Sequence, residues 1–185
     1  VPTFGPDQAS CEVLTFREGL LSPLAHDLVL RVTAFEIAVD PAGPRIEASF
    51  DAASLRVAQA LRDGRVLPPG ALSASDVRKI EANIADEVLR AQKFPVVHFS
   101  STSVAPRGDG YDVVGSLTLA GVAGEVAFPV RRDGERLRMQ ADIDQPRFGI
   151  RPYAGAFGTI RVKRAVAVRA WLPASAAVPA PGAPA

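Results

Sequence analysis

KFPVVHFSSTSVAPRGDGYDVVGSLTLAGVAGEVAFPV, Lys93 to Val130, divides into three short runs of alternating side chains separated by turn formers. Alternation places Val97 and Phe99 on one face of the first run and His98, Ser100 and Thr102 on the other. Pro106, Gly108 and Gly110 then break the ladder for a turn. In the second run Tyr111, Val113, Gly115, Leu117 and Leu119 share a face opposite Asp112, Val114, Ser116 and Thr118, and Gly121 with Gly124 supply the next bend. Val126, Phe128 and Val130 point one way in the third. The gaps leave no room for the crossover helices a parallel sheet requires, so these strands pair antiparallel.

The flanking sequence continues the pattern. Ser10 to Glu18 reads as a first strand, closed by Gly19 and Pro23. Leu28 to Val39 is longer. Leu28, Leu30, Val32 and Ala34 share one face, but Phe35, Ile37 and Val39 fall on the other parity, which predicts a bulge or bend within Thr33 to Glu36. Pro41, Gly43 and Pro44 turn the chain into Arg45 to Leu55, where Ile46, Ala48 and Phe50 alternate. From Leu55 to Pro69 the pattern lapses, and Gly64, Pro68, Pro69 and Gly70 predict a connecting loop. A helix over about 73–91 follows: Ser73 and Asp76 form a capping box with Asp in the Glu position, and Val77, Ile80, Ile84 and Val88 make one apolar stripe. That helix is expected to lie against the outside or one end of the β structure.

Leu137, Met139, Ala141 and Ile143 define a further strand, and Gln145 to Gly158 reads as a loop with a short helical turn, carrying Phe148, Ile150, Tyr153 and Phe157. The last strand, Thr159 to Leu172, places Ile160, Val162, Val166, Val168 and Ala170 on one face. The chain thus reads as a single domain over residues 1–173. From Ala174 to Ala185 only Ala, Ser, Val, Pro and Gly occur, which predicts a disordered tail.

Composition narrows the function classes. With 21 Lys and Arg against 20 Asp and Glu, nothing marks a nucleic-acid footprint or a polybasic membrane patch. Cys11 is the only cysteine, which excludes an internal disulfide and a Cys-cluster metal site, and a buried free thiol is its expected state. No apolar run reaches the length of a transmembrane helix, so a soluble chain is expected. Val1 to Ser10 has no signal-peptide pattern; a native start near Val1 implies the cytoplasm, and a trimmed leader implies the periplasm or secretion. A homodimer is left open.

The FPVVHFSSTSV, YDVVGSLTLAGVAGEV and QPRFGIRP runs resemble the YceI-like family, whose members are similar to lipocalins in architecture. The resemblance runs from about Cys11 to Pro173. It implies a mainly β fold, an eight-stranded antiparallel lipocalin-like β-barrel closed around an apolar tunnel that in some members holds a polyisoprenoid or isoprenoid-quinone chain. Leu20 to Leu30, with PLAHDL, and the Leu55 to Gly70 connection depart from the commonest family pattern.

A filled core and a lipid tunnel use the same residue types, so alternation alone leaves both open. The resemblance implies the tunnel. Its candidate ligand-binding lining is Leu28, Leu30, Val32, Val97, Phe99, Val113, Leu117, Leu119, Phe128, Leu137, Met139, Ile143, Phe148, Ile160 and Val162, with Gly115 leaving room beside them. Arg147, Tyr153 and Arg164 are candidates to meet a head group at the rim. His26 and Asp27 are adjacent, so on a strand they point to opposite faces and cannot form a base with its orienting carboxylate; a polar rim role is expected of them. No nucleophile elbow, phosphate loop, HExxH or dinucleotide fingerprint is present, and no catalytic or metal site is assigned. The expected function is therefore non-enzymatic binding, storage or transport of a long apolar lipid, either a polyisoprenoid, an isoprenoid quinone or another lipid, with no catalytic cofactor. The alternatives are a filled barrel that docks a protein partner, and a hydrolase-like enzyme using His26.

Overall fold

The computed structural model describes residues 1–18, 26–155 and 160–177. The three runs that open the sequence reading are long antiparallel strands, β9 (Val96–Arg107), β10 (Gly110–Leu119) and β11 (Val122–Asp133). Before them lie β1 (Thr3–Phe4), β2 (Ser10–Thr15), β3 (Arg17–Glu18), β4 (Asp27–Val32), β5 (Phe35–Asp40), β6 (Arg45–Asp51), β7 (Leu55–Arg62) and β8 (Arg65–Val66). After them come β12 (Arg136–Asp144), β13 (Ala154–Gly155), β14 (Ile160–Val162) and β15 (Ala165–Pro173).

Twelve strands form one sheet in the order β1-β5-β6-β9-β10-β11-β12-β15-β2-β4-β7-β8, and β13-β14-β3 form a small second sheet. The fold is the mainly β, lipocalin-type barrel that was expected, but its ladder is open, with β1 and β8 at the two ends. The ends are nevertheless joined by the chain itself. β4 and β5 are successive halves of one long strand, as are β6 and β7, and they pair as one hairpin: β5 with β6 through Phe35↔Phe50, β4 with β7 through Val32↔Leu55. Taking β1 with β2, β4 with β5 and β6 with β7 as interrupted halves reduces the ladder to about the expected eight, apart from the two-residue β8.

The interruption lies where the change of parity predicts a bend. Thr33 and Ala34 leave the ladder, and the backbone groups freed there are taken up by Ser54, which is buried. Thr33 donates to the Ser54 carbonyl through its N–H (3.1 Å) and its hydroxyl (2.9 Å), and the Ala34 N–H donates to Ser54 Oγ (3.2 Å). After this step Ile37 and Val39 face the same interior as Leu30 and Val32. A short 3-10 turn, Ala52–Ser54, makes the matching bend on the other strand, its start capped by Asp51, which accepts from the Ala53 N–H at 2.8 Å.

Three expectations are corrected. The Leu55 to Pro69 loop is a hairpin, β7 and β8, turned by Asp63 and Gly64 with φ of 51° and 76°. An Asp-Gly pair suits two such residues in a hairpin turn. The last strand is two: β14 joins the small sheet, and β15 closes between β12 and β2. The tail does not begin at Ala174, because Ala174–Ala176 form a 3-10 turn whose Ala176 is buried in the core with Phe4, Ile37 and Val39. Gly19, Pro23, Phe157, Gly158, Thr159 and the tail from 178 to 185 lie outside the described residues.

The expected helix is α1 (Ala74–Asn83), continued by a π-helical turn, Ile84–Val88. Its capping box is formed: Ser73 Oγ accepts from the Asp76 N–H (3.1 Å), and Asp76 Oδ2 accepts from the Ser73 N–H (3.2 Å). Among the described residues no helix is long and apolar enough to cross a membrane.

Gly115 shows why glycine is needed in the wall. It sits at a register shift between β9 and β10, and a Cβ there would meet the Ser100 carbonyl at 2.5 Å and the Phe99 ring at 2.6 Å. Phe99 in turn packs on Phe128, their rings 5.5 Å apart. Gly115→Ala should therefore lower stability by about 1–3 kcal/mol through overpacking, read as a fall in the urea midpoint at unchanged slope.

Candidate ligand cavity

The sheet wraps a cavity of about 780 Å³. Volumes of about 300–1,000 Å³ are usual for sites that enclose a small ligand. The barrel is thus not filled. All the expected lining residues except Val113 and Phe148 face the cavity. Those two, each 1% exposed, are packed in the wall. Val113 lies in register between Val104 and Phe128, whose side chains line the space in its place. Phe148 fills the surface of Gly124, where a Cβ would lie 3.0 Å from its ring.

Sequence reading missed other parts of the lining. Cys11 and Val13 contribute from β2, and Ile46, Ala48 and Phe50 from β6. Their alternation was legible, but the face it lay on had no assigned partner. The apolar stripe of the helix contributes Ile80, Ile84 and Val88. No residue of the helix or of its π-helical turn is fully buried, because the stripe faces open space and not a packed core. Polar bonds hold it there. Glu81 Oε1 accepts from the Val57 N–H (2.9 Å) beside the register shift in β7, and Asn83 Nδ2 donates to the Tyr153 hydroxyl (3.2 Å).

Several polar residues of the lining gather at the end covered by the helix. Arg17, His26, Lys79, Asn83, Tyr153 and Arg161 line the cavity there. The small sheet sets this rim, pairing Val162 with Arg17 and Arg161 with Glu18. Of the three expected head-group contacts only Tyr153 faces the cavity. Arg164 is held outside by two 2.7 Å bonds to Asp144, whose carboxyl it keeps below the usual range, and Arg147 donates to the Glu125 carbonyl at 3.3 Å. Neither Arg164 nor Arg147 lines the cavity.

His26 and Asp27 have separate partners. Asp27 Oδ1 accepts from the Arg17 N–H at 2.7 Å, and His26 Nδ1 is shielded from solvent with no hydrogen-bond partner among the described residues. Desolvation, then the guanidiniums of Arg62 and Arg17, hold His26 below its ordinary pKa, against an opposing pull from Asp27. The histidine is therefore neutral near pH 7. His98 lies on the outer face, 3.2 Å from Glu47.

Cys11 is free, 3% exposed and in the cavity wall. Burial, and after it the charge of Glu12, push its thiol up to about 12.

Residues 25–172 match the family model for the YceI-like domain. A UPF0312 protein of Yersinia pestis (strain Pestoides F) and one of Yersinia pseudotuberculosis (serotype O:3, strain YPIII) are each 37% identical over 75 residues, 40% of this chain and 35% of theirs. The match thus spans about a third of those relatives' length. Among solved structures, BcnA of Burkholderia cenocepacia aligns over 89% of this chain and 95% of its own, with TM-score 0.61 and 19% identity. A polyisoprenoid binding domain from Saccharophagus degradans, implicated in plant cell wall breakdown, aligns over 90% and 94%, with TM-score 0.54 and 13% identity. At these identities both likenesses speak to the fold alone.

Because the thiolate is the reactive form, Cys11 should react with iodoacetamide at pH 8 far more slowly than in urea-unfolded protein. A small apolar maleimide, which needs the same thiolate, should be slowed likewise; intact-mass spectrometry reads both rates.

Proposed function

We propose that this chain, which belongs to the YceI-like domain family, is a non-enzymatic lipid binder that stores, shields or carries a long apolar chain in its lumen. The observation that carries the reading is the open cavity of about 780 Å³ whose wall is apolar along its length and polar at one rim. A binding role for the fold accords with the Saccharophagus degradans domain, described as polyisoprenoid binding.

The energetics suit a chain of several isoprene units. At about 0.8 kcal/mol per methylene-sized group, one five-carbon unit contributes roughly 3–4 kcal/mol gross. Association and ordering take back about 4–15 kcal/mol, so a single unit would not stay bound while a polyisoprenoid or isoprenoid-quinone tail would. The mechanism is burial: the lining side chains from β4, β9, β10, β11 and β12 and the helix stripe exchange water for hydrocarbon, and the polar rim keeps the head near solvent.

Organic extraction of the purified protein followed by mass spectrometry should return a lipid with a long apolar chain. A protein that emerges empty, and then takes up neither a quinone nor a polyprenol, would overturn the reading. Replacing Leu117, which faces the cavity beside Phe99, by Trp fills part of the lumen. Leu117→Trp should weaken uptake of a C40 polyprenol at least about tenfold, equivalent to about 1.4 kcal/mol, while the far-ultraviolet circular dichroism spectrum stays that of a β protein.

A further inference from the structure

Resting on the lumen reading, we infer that the cavity has a floor at the end away from the helix, and that Ala176 in this floor limits the length of apolar chain the protein accepts. At that end the wall is made by Val39, Tyr111, Val130, Leu137 and Leu172, with Tyr111 in register with Val130 and Leu137 with Leu172. β12 leads from Leu137 here to Ile143, in the cluster that Val88 of the π-helical turn packs against. Two segments meet across this end. β1 pairs Phe4 with Ile37 of β5, and the Val39 N–H donates to the Pro2 carbonyl at 3.0 Å. After Pro173 the Ala174 N–H donates to the Glu135 carbonyl at 2.8 Å, and the 3-10 turn that follows carries Ala176 into the core. Phe4 and Ala176 are thereby buried in one cluster with Ile37, Val39 and Leu137, and Ala9 and Ala177 pack against it.

Of Phe4 and Ala176, only the alanine lines the cavity, so Phe4 braces the floor and the side chain at 176 is the surface a ligand meets. The wall around it is apolar but for the Tyr111 hydroxyl, which suits the tail of a lipid whose head stays at the polar rim. Both segments lie outside residues 25–172, so the floor is not part of what the family match covers. Alanine leaves the lumen deep, and any larger side chain at this position takes depth from it. Each methylene-sized group moved from water into the lumen tightens binding by up to about fourfold. Once the tail meets the floor, further carbons must stay in water at the mouth or fold the chain back at a cost in ordering, and the gain stops. Affinity therefore rises with chain length to a limit set at Ala176 and then levels off.

Displacement of a fluorescent fatty-chain probe from the full chain by prenyl alcohols, lengthened one isoprene unit at a time from C10 to C60, tests this. The expected result is affinity that climbs to one member of the series and is flat beyond it. In Ala176→Phe, whose ring has the lumen to enter, the limit should move to a shorter alcohol. The alcohol at the original limit should then bind at least about tenfold more weakly while C10 and C15 stay within about twofold. Ala176→Val, a smaller addition, should move the limit the same way and guards against a phenylalanine variant that fails to fold. In the unaltered protein, an alcohol of limiting length with a diazirine at its tail end should label β1 or residues 174–177 on irradiation, read by peptide mass spectrometry. Affinity that climbs through the whole series, a limit that moves in no folded variant, or a diazirine that labels the polar rim would each overturn the inference and leave the lumen reading standing. Failure of every alcohol to displace the probe would overturn the lumen reading, and the inference with it.

Discussion

The bend at Thr33–Ala34 and Asp51–Ser54 is the constraint on which the rest of the structure depends. A long two-stranded hairpin running straight would make a flat sheet with an exposed edge and no interior. Interrupting both strands at one level lets the hairpin turn, so that β5 and β6 lead to β9 while β4 leads to β2. The interruption would leave backbone groups unpaired, a penalty of about 1–3 kcal/mol each when buried. Ser54 and Thr33 remove much of it by bonding across the gap. The same step resets side-chain parity, and without it either Leu30 and Val32 or Ile37 and Val39 would face solvent.

Because the bend appears in sequence as a change of parity, this part of the fold was legible before any coordinates. So were the three strands from Val96 to Asp133 and the Ser73–Asp76 cap, each a local pattern with a local cause. The β7–β8 hairpin was not, because Ala58, Gln59 and Ala60 blur the alternation around a register shift, and β7 becomes a strand through pairing with β4. Asp63–Gly64 was the available signal, hidden by the prolines and glycine that follow it.

Within the site, parity identifies which face of a strand turns inward but not how deep a side chain sits. Val113 and Phe148 have the right face or composition, yet their neighbours stand between them and the lumen. Rim arginines are harder still. Arg164 and Arg147 bond to Asp144 and the Glu125 carbonyl, whereas Arg17 and Arg161 line the cavity, a difference set by the tertiary position of each strand and not by local sequence.

The helix shows what the open interior does to the energetics. An amphipathic helix on a barrel normally completes the burial of its stripe against a core, and that burial is most of what holds it. Here Ile80, Ile84 and Val88 gain only part of it, and two side-chain hydrogen bonds, from Val57 to Glu81 and from Asn83 to Tyr153, supply the attachment. Segments with little fully buried surface open at lower free energy than the rest of a fold. The element that covers the polar rim is thus incompletely packed, and hydrocarbon in the lumen would complete its packing. Ligand and helix would then stabilise each other, since whatever binds the folded chain and not the unfolded one adds RT ln(1 + [L]/Kd) to its stability.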